Sequence, residues 1–297
     1  MFTSKSIGRA LRIFLFTLAL SIGSATAQTA LNAALLGTNE VANGDPDGTG
    51  RAAVTINASS GATSWNIAAF NILTPSAAHI HRGAAGVNGP VVFDFSATLV
   101  GSGTMTSVLA NEILANPAGF YVNVHTSAHP GGAIRGQLSA AALPAPNTFV
   151  STLLGSNEVA NGDPDGSGAG SITIDPVTGA VNWQLSTANV AVATLAHIHR
   201  GAAGSNGPVV FDFSAQFSGS GVMSLALAAE ILANPAGFYF NIHTAAHPGG
   251  AVRGQLSLQA PAQPFASIPT LNEWALIMLA LFIAALALRQ RAVVRTK

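Results

Sequence analysis

Cysteine is absent from the 297-residue chain, and charged side chains make up only 8% of it. A chain without cysteine forms neither disulfides nor thiolate metal sites. Lysine is also absent between Gln28 and Ser267, where five arginines and eleven acidic residues give a net charge of −6 with histidine neutral. Nucleic-acid-binding proteins need clustered cations, so the composition excludes that class for the body of this protein.

Motifs of catalysis are also missing from the sequence. Serine is abundant, but no Gly-x-Ser-x-Gly nucleophile elbow is present. Asp94 and Glu112 recur in the second half of the chain, but nothing in the sequence brings them together as a catalytic carboxylate pair. We therefore expect a protein that is not an enzyme.

The N-terminus has the parts of an export signal. Three basic residues precede the apolar run Ile13–Ile22, and Ala25-Thr26-Ala27 follows as an A-x-A cleavage site. This order predicts a signal peptide over residues 1–27 and a mature chain that begins at Gln28.

The C-terminus has the order of parts found in a membrane sorting signal. Residues 274–288 are almost purely apolar and are followed by a basic tail, which predicts a transmembrane segment with its tail in the cytoplasm. The preceding motif is Ile268-Pro269-Thr270-Leu271, then Glu273 and Trp274. Residues 268–297 resemble the IPTL-CTERM sorting signal. The resemblance implies an exosortase-like partner enzyme, an inner-membrane intermediate, and a final location at the cell surface, in the outer envelope or outside the cell.

Between these ends the chain repeats itself with a shift of 118 residues. Ala78-His79-Ile80-His81-Arg82-Gly83 returns as Ala196-His197-Ile198-His199-Arg200-Gly201. All eight histidines lie in the repeated blocks: His79, His81, His125 and His129, then His197, His199, His243 and His247. The repeat predicts two domains, 28–142 and 148–260, with Pro-containing linkers at 143–147 and 261–267.

Each repeat consists mainly of short apolar or alternating runs separated by Gly, Asn and Pro, which is typical of β-strands. Thr106–Asn116 and its copy Ser224–Asn234 are the exceptions, because their apolar spacing predicts a short helix. We therefore predict two all-β domains, each a Greek-key or immunoglobulin-like β-sandwich with one short helix.

The histidine block resembles a known family. Ala-His-Ile-His-Arg-Gly, with Asn-Val-His-Thr and His-Pro-Gly-Gly further on, is similar to the CHRD domain first described in chordin. The resemblance covers nearly all of both repeats. It implies an extracellular β-sandwich module, part of a growth-factor-binding protein in chordin, and here a non-catalytic binding or structural surface module. Its ligand would be an extracellular polysaccharide or a protein.

The histidine spacing supports a second interpretation. Side chains two apart in a strand share a face, so His79 and His81 point away from Ala78 and Ile80. His125 on a neighbouring strand would complete a three-nitrogen copper or zinc site, with His129 close by in sequence. Such a protein would serve metal storage or redox protection. The alternative is a structural network, in which these histidines bind Asn123, Arg135, Asp94 or the backbone, and the nearby arginine charges favour it.

A weaker metal pattern lies in the loop after the first strand. Asn43, Asp45 and Asp47 place oxygen side chains at alternating positions, as at the start of an EF-hand loop, and the second repeat has Asn161, Asp163 and Asp165. The twelfth position of the pattern is Val54 rather than Glu. The pattern therefore favours a plain turn over a calcium site.

Overall fold

The computed structural model describes residues 28–260, together with positions 276 and 278–280. The predicted signal peptide and sorting motif lie outside the described residues, as does the predicted membrane segment apart from those four positions, which are helical. Within the part of the chain that is described, no helix has the length and apolar character needed to cross a bilayer.

The first domain contains eight strands and one α-helix. In chain order they are β1 Gln28–Leu36, β2 Thr49–Asn57, β3 Ala62–Phe70, β4 Pro75–Arg82, β5 Val91–Asp94, β6 Val100–Thr104, α1 Ser107–Ala115, β7 Phe120–Thr126 and β8 Ile134–Gln137. Short 3-10 turns span Gly37–Asn39 and Pro117–Gly119. The helix begins after Thr106, whose hydroxyl accepts a hydrogen bond from the Leu109 amide, as the N-cap rule requires.

The second domain repeats this order. Its elements are β9 Asn147–Leu154, β10 Ser167–Ile174, β11 Ala180–Ala188, β12 Ala193–Arg200, β13 Val209–Asp212, β14 Ser218–Val222, α2 Leu225–Ala233, β15 Phe238–Thr244, β16 Val252–Gln255 and β17 Ser257–Leu258, with 3-10 turns at Gly155–Asn157 and Pro235–Gly237. The predicted fold class, two all-β domains with one short helix each, is confirmed.

Each domain is built on one antiparallel sheet that curls around a core. The strand order in the first domain is β5-β4-β7-β8-β1-β2-β3-β6. The chain forms β1 to β3 as neighbours, then crosses to β4 at the other end of the sheet. Because the sheet curls, residues of β1 and β2 such as Leu35 and Val54 share one buried cluster with Ile80 of β4 and Val122 of β7. The α-helix adds Ala110 and Ile113 to the same core.

The sequence does not reveal β6, because its residues Val-Gly-Ser-Gly-Thr resemble a linker. The structure explains these glycines. A Cβ on Gly101 would lie 2.6 Å from Cζ2 of Trp65. The Trp65 ring therefore occupies the space of a side chain at position 101, and only glycine lets β6 pair with β3 there. The indole Nε1 of Trp65 donates a hydrogen bond to the Thr98 carbonyl and is thereby fixed in place.

The two domains are joined by a contact that their sequences do not share. Arg51 of β2 donates through Nε to Asp175 at 2.6 Å and through Nη2 at 2.9 Å. Thr49 Oγ1 donates to the carbonyl of Thr178. Burial opposes ionisation of Asp175, but its hydrogen bonds with Arg51 and with backbone amides hold its pKa below the usual value. The positions that correspond to Arg51 and Asp175 in the other repeat are Ala169 and Asn57, so this contact has no symmetric copy.

Replacing Gly101 with alanine should destabilise the first domain by about 1–3 kcal/mol, because the new methyl group overlaps the buried Trp65 ring. The measurement is chemical denaturation followed by circular dichroism. Gly131→Ala is the matched control, because a Cβ at Gly131 has no atom within 4 Å. An equal loss in both variants would contradict this account of β6.

Candidate functional site

The histidine strands form a polar layer on the side of the sheet opposite the core. Ala78 and Ile80 of β4 are fully buried in the core, as predicted, and so are Val122 and Val124 of β7. The opposite face carries the polar layer, which comprises His79, His81, Tyr121, Asn123, His125 and Arg135. Most of this layer is also shielded from solvent, since every residue of β7 is buried. The sequence does not show that the polar face of β7 is buried as well as the core face.

Two loops cover the polar layer. Arg135 donates to the Val87 carbonyl and to Asn88 Oδ1, both at 2.9 Å, in the loop between β4 and β5. In the loop that follows β1, Asn39 donates to the carbonyl of Arg135 at 3.1 Å. Both loops are therefore held by one buried residue, and together they convert an open sheet face into an enclosed site.

Three histidines converge within this layer. His79 Nδ1 lies 3.1 Å from His125 Nε2. Three ring nitrogens, one each from His79, His81 and His125, all lie within 4.8 Å of one another. Three nitrogens bound to one ion at about 2.0–2.1 Å would stand roughly 3.3–3.6 Å apart, so a small movement of the rings would suffice to receive an ion.

The outer nitrogens of two of these rings are fixed by backbone carbonyls. His81 Nδ1 lies 2.9 Å from the Gly89 carbonyl, and His125 Nδ1 lies 3.1 Å from the Pro130 carbonyl. A carbonyl only accepts, so both Nδ1 atoms carry the proton and both Nε2 atoms present a lone pair to the cluster. The Nε2 atom of His81 is buried and has no hydrogen-bond partner. An orphaned acceptor of this kind is what a metal ion would satisfy.

His79 uses the opposite nitrogen. Its Nδ1 faces the cluster, and its Nε2 lies 3.6 Å from Asp94 Oδ1. Because His125 Nε2 is an acceptor, His79 Nδ1 donates to it in the hydrogen bond of the structure. Binding of a cation would need the other tautomer, with the proton on Nε2 next to the Asp94 carboxylate. A carboxylate in this position commonly orients and strengthens a histidine ligand.

The protonation state of the cluster is suited to ligation. Burial is the main cause that lowers the pKa of His81 and of His125, and the charge of neighbouring histidines lowers both further. The hydrogen bonds to backbone carbonyls oppose this shift without reversing it. Both rings are therefore neutral at neutral pH, which is the form that binds a metal.

The second domain reproduces the cluster. His197 Nδ1 lies 3.1 Å from His243 Nε2, His199 Nδ1 lies 2.9 Å from the Gly207 carbonyl, and His243 Nδ1 lies 3.0 Å from the Pro248 carbonyl. His199 Nε2 is buried without a partner, as His81 Nε2 is. Burial lowers the pKa of all three histidines here. The chain therefore contains two equivalent three-histidine clusters.

A stack of three side chains supports each cluster. The guanidinium of Arg135 lies 3.6 Å from the centroid of the Tyr121 ring. His81 also stacks on that ring, with centroids 4.9 Å apart and an interplanar angle of 8°. The Tyr121 hydroxyl accepts a hydrogen bond from the Gly89 amide. Arg253, Tyr239 and His199 form the same stack in the second domain. The sequence indicates the shared face, but not the stacking of these three side chains.

His129 and the Asn/Asp loop lie outside the three-histidine cluster. His129 Nδ1 donates to the Asn43 carbonyl at 2.6 Å, and its Nε2 lies 3.7 Å from Asp45 Oδ2. This contact ties the β7–β8 turn to the loop after β1. Its copy joins His247 Nδ1 to the Asn161 carbonyl. Binding of metal by His129, and of calcium by Asn43, Asp45 and Asp47 or by Asn161, Asp163 and Asp165, remains a sequence prediction.

Glu40 belongs to no motif of the sequence, but the structure places it near the polar layer. A Cβ at Gly132 would lie 2.5 Å from Glu40 Oε1 and 2.7 Å from the amide atoms of Asn123. Gly132, with φ of +134°, thus leaves room for both groups. Burial raises the pKa of Glu40 to about 7, although the charges of Arg135 and His129 act in the opposite direction. The only sequence signal for this residue is its return as Glu158, whose pKa burial also raises to about 7.

Comparison with protein families identifies the two domains. The CHRD domain model matches residues 31–138 and 149–256, and the two matches cover most of the chain. The chain belongs to the CHRD family. A model of the IPTL-CTERM motif matches residues 266–292. Both predicted resemblances are confirmed, and the sorting signal points to an exported protein sorted to the cell envelope. A search of curated proteins finds no match to this chain.

Replacing Glu40 and Glu158 by glutamine should change the pH dependence of stability. Each carboxyl has a folded pKa of about 7, raised from 4.5. The native state therefore binds these protons more tightly than the unfolded state does. The stability that results is complete below about pH 4.5 and is lost as the pH rises towards 7. Glutamine does not titrate, so the double variant lacks this loss.

The measurement is the free energy of unfolding of both proteins at several pH values from about 4 to 8. We expect the stability of wild type relative to the variant to fall between about pH 4.5 and 7 and to stay level above that range. A difference that does not vary with pH would show that neither carboxyl has a raised pKa.

Proposed function

We infer that this protein is a non-catalytic binding module of the cell envelope, and that each CHRD domain binds one copper or zinc ion through three histidines. The observation that carries this proposal is the buried Nε2 of His81, which has a lone pair, no partner, and two further imidazole nitrogens beside it. The second domain has the same arrangement at His199.

The donor set fits copper or zinc better than a harder cation. Imidazole nitrogens suit copper and zinc, whereas calcium and magnesium take oxygen ligands. His79 and His81 come from β4 and His125 from the adjacent β7, so the paired strands hold the three ligands without a flexible loop. Rigid elements of this kind position metal ligands well.

A structural network is the competing explanation. In that case the His79–His125 hydrogen bond and the carbonyl contacts would simply join strands and loops. This explanation accounts for the outer nitrogens, but it leaves His81 Nε2 and its copy His199 Nε2 without a hydrogen-bond partner. An unpaired buried acceptor costs roughly 1–3 kcal/mol, and its presence in both domains favours a ligand.

Storage or buffering of metal, or protection against redox damage by sequestering it, is consistent with two equal sites on one exported chain. The sorting signal suggests where this occurs: an exosortase-like enzyme would act on the chain at the inner membrane, before the protein reaches the surface. A polysaccharide or protein ligand for the outer surface of the domains remains compatible with this role.

Metal analysis of the purified protein tests the proposal. After incubation with copper or zinc and removal of free metal, we expect two bound ions per chain. His79→Ala/His81→Ala should bind one, and the same chain with His197→Ala/His199→Ala added should bind none. His129→Ala is the matched control and should keep both ions, because His129 lies outside the cluster. Equal metal content in all four proteins would disprove the three-histidine site.

The sorting role has a separate test. Replacing Ile268-Pro269-Thr270-Leu271 by four alanines should leave the two domains folded but should prevent recognition of the C-terminus. We expect a longer form of the protein to accumulate in the inner-membrane fraction on immunoblots. Normal processing and an unchanged location would show that this motif does not direct sorting.

A further inference from the structure

The charge of the three-histidine cluster restricts which ion it can hold. All three donors are imidazole nitrogens, which carry no charge when they bind a metal. Among the described residues, neither three-histidine group includes a carboxylate. Asp94 lies 3.6 Å from the outer nitrogen of His79 and is 64% exposed, so it neutralises little charge at the centre of the cluster. An ion bound here keeps almost all of its positive charge.

A fixed positive charge stands behind the cluster. Arg135 is only 1% exposed, and its guanidinium carries a positive charge. It stacks on Tyr121, which in turn stacks on His81. The guanidinium is thus separated from a ligand of the site by one aromatic ring. Arg253, Tyr239 and His199 repeat this arrangement.

Repulsion between the guanidinium and a bound ion grows in proportion to the charge of the ion. A divalent ion is therefore repelled twice as strongly as a monovalent ion at the same position. Sites for divalent ions in proteins often contain a carboxylate or thiolate that offsets such repulsion. This cluster has neither ligand. Glu40 lies close enough to Arg135 for their charges to interact, but burial raises the pKa of Glu40 to about 7, so near neutral pH it offsets only part of the guanidinium charge. The electrostatics of the cluster therefore favour a single positive charge.

The number and burial of the donors point in the same direction. Zinc is almost always four-coordinate in structural sites, and divalent copper prefers tetragonal coordination. Monovalent copper carries less charge and accepts three ligands. The structure provides three nitrogens and shields His81 Nε2 from solvent. Shielding makes it harder for water to supply the additional ligands that a divalent ion requires.

We propose that each three-histidine site selects monovalent copper over divalent copper and zinc, an inference that rests on the function proposed above. Arg135 and Arg253 act in this selection without touching the ion. They raise the cost of a second positive charge at the site, so bound copper is held in its reduced form.

The test uses a full chain that carries His197→Ala/His199→Ala and so retains only the first site. Monovalent copper is supplied anaerobically with ascorbate and measured by competition with bathocuproine disulfonate. Divalent copper and zinc are measured against their own chromophoric chelators. We expect the affinity for monovalent copper to be the highest of the three. Equal or tighter binding of either divalent ion would overturn the inference and leave the three-histidine site intact, whereas no binding of any ion would overturn both.

Arg135→Gln tests the cause of the selection in the same chain. Removing the buried charge should reduce the preference for monovalent over divalent copper by about tenfold, the order expected when one unit charge is removed from within about 10 Å of the ion in a partly buried site. Arg253→Gln is the matched control, because it removes the same group from the domain whose site has been removed. An unchanged preference in Arg135→Gln would show that the guanidinium does not select the ion.

A second measurement keeps the inference testable if Arg135→Gln does not fold. The reduction potential of copper bound to the chain with Arg135 intact should be more positive than that of the aqueous copper couple, because the site stabilises the reduced ion. A potential equal to or below the aqueous value would overturn the inference.

Discussion

The polar layer of each domain depends on the hydrogen bonds of one buried guanidinium, that of Arg135 in the first domain and Arg253 in the second. A charge removed from water must be fully hydrogen-bonded to be tolerated. Arg135 meets this need with acceptors of the β4–β5 loop, Val87 O and Asn88 Oδ1. In doing so it holds that loop over the sheet and brings Gly89 to within hydrogen-bond distance of His81. Satisfying one buried charge thereby fixes the orientation of a candidate metal ligand.

The sheet is consequently buried on both sides at β7 in the first domain and at β15 in the second. One side packs into the apolar core through Val122 and Val124, and the other carries Tyr121, Asn123 and His125 under two loops. Polar groups enclosed on one face of a strand need hydrogen-bond partners. Loop carbonyls accept hydrogen bonds from His81, His125 and Arg135, whereas the buried His81 Nε2 and Asn123 Oδ1 have no partner. The core provides stability, while the polar layer carries the candidate metal ligands.

The two domains provide an internal comparison. The core changes between them, since Val122 in the first domain is Phe240 in the second. The three histidines, the tyrosine, the arginine and the glutamate at Glu40 and Glu158 are unchanged, and the hydrogen-bond distances of the histidines differ by no more than 0.1 Å. The Arg51–Asp175 contact, in contrast, exists only once because Ala169 and Asn57 stand at the corresponding positions. The polar layer is therefore a property of each domain, and the contact between the domains is a property of the pair.

Local patterns in the sequence determine the fold class, the repeat, the short helix and the face on which His79 and His81 lie. Alternation and turn residues depend on near neighbours only, so they can be read without the fold. They do not reveal β6, because its glycines make sense only under Trp65, which precedes them by more than thirty residues. They also cannot separate His129 from His125, although both belong to the same short block. Only the tertiary structure decides that His125 faces His79 across two paired strands, while His129 turns towards the loop at Asn43. The physical reason is that ligation and burial depend on where loops close over a sheet, and this closure joins residues that are far apart in the chain.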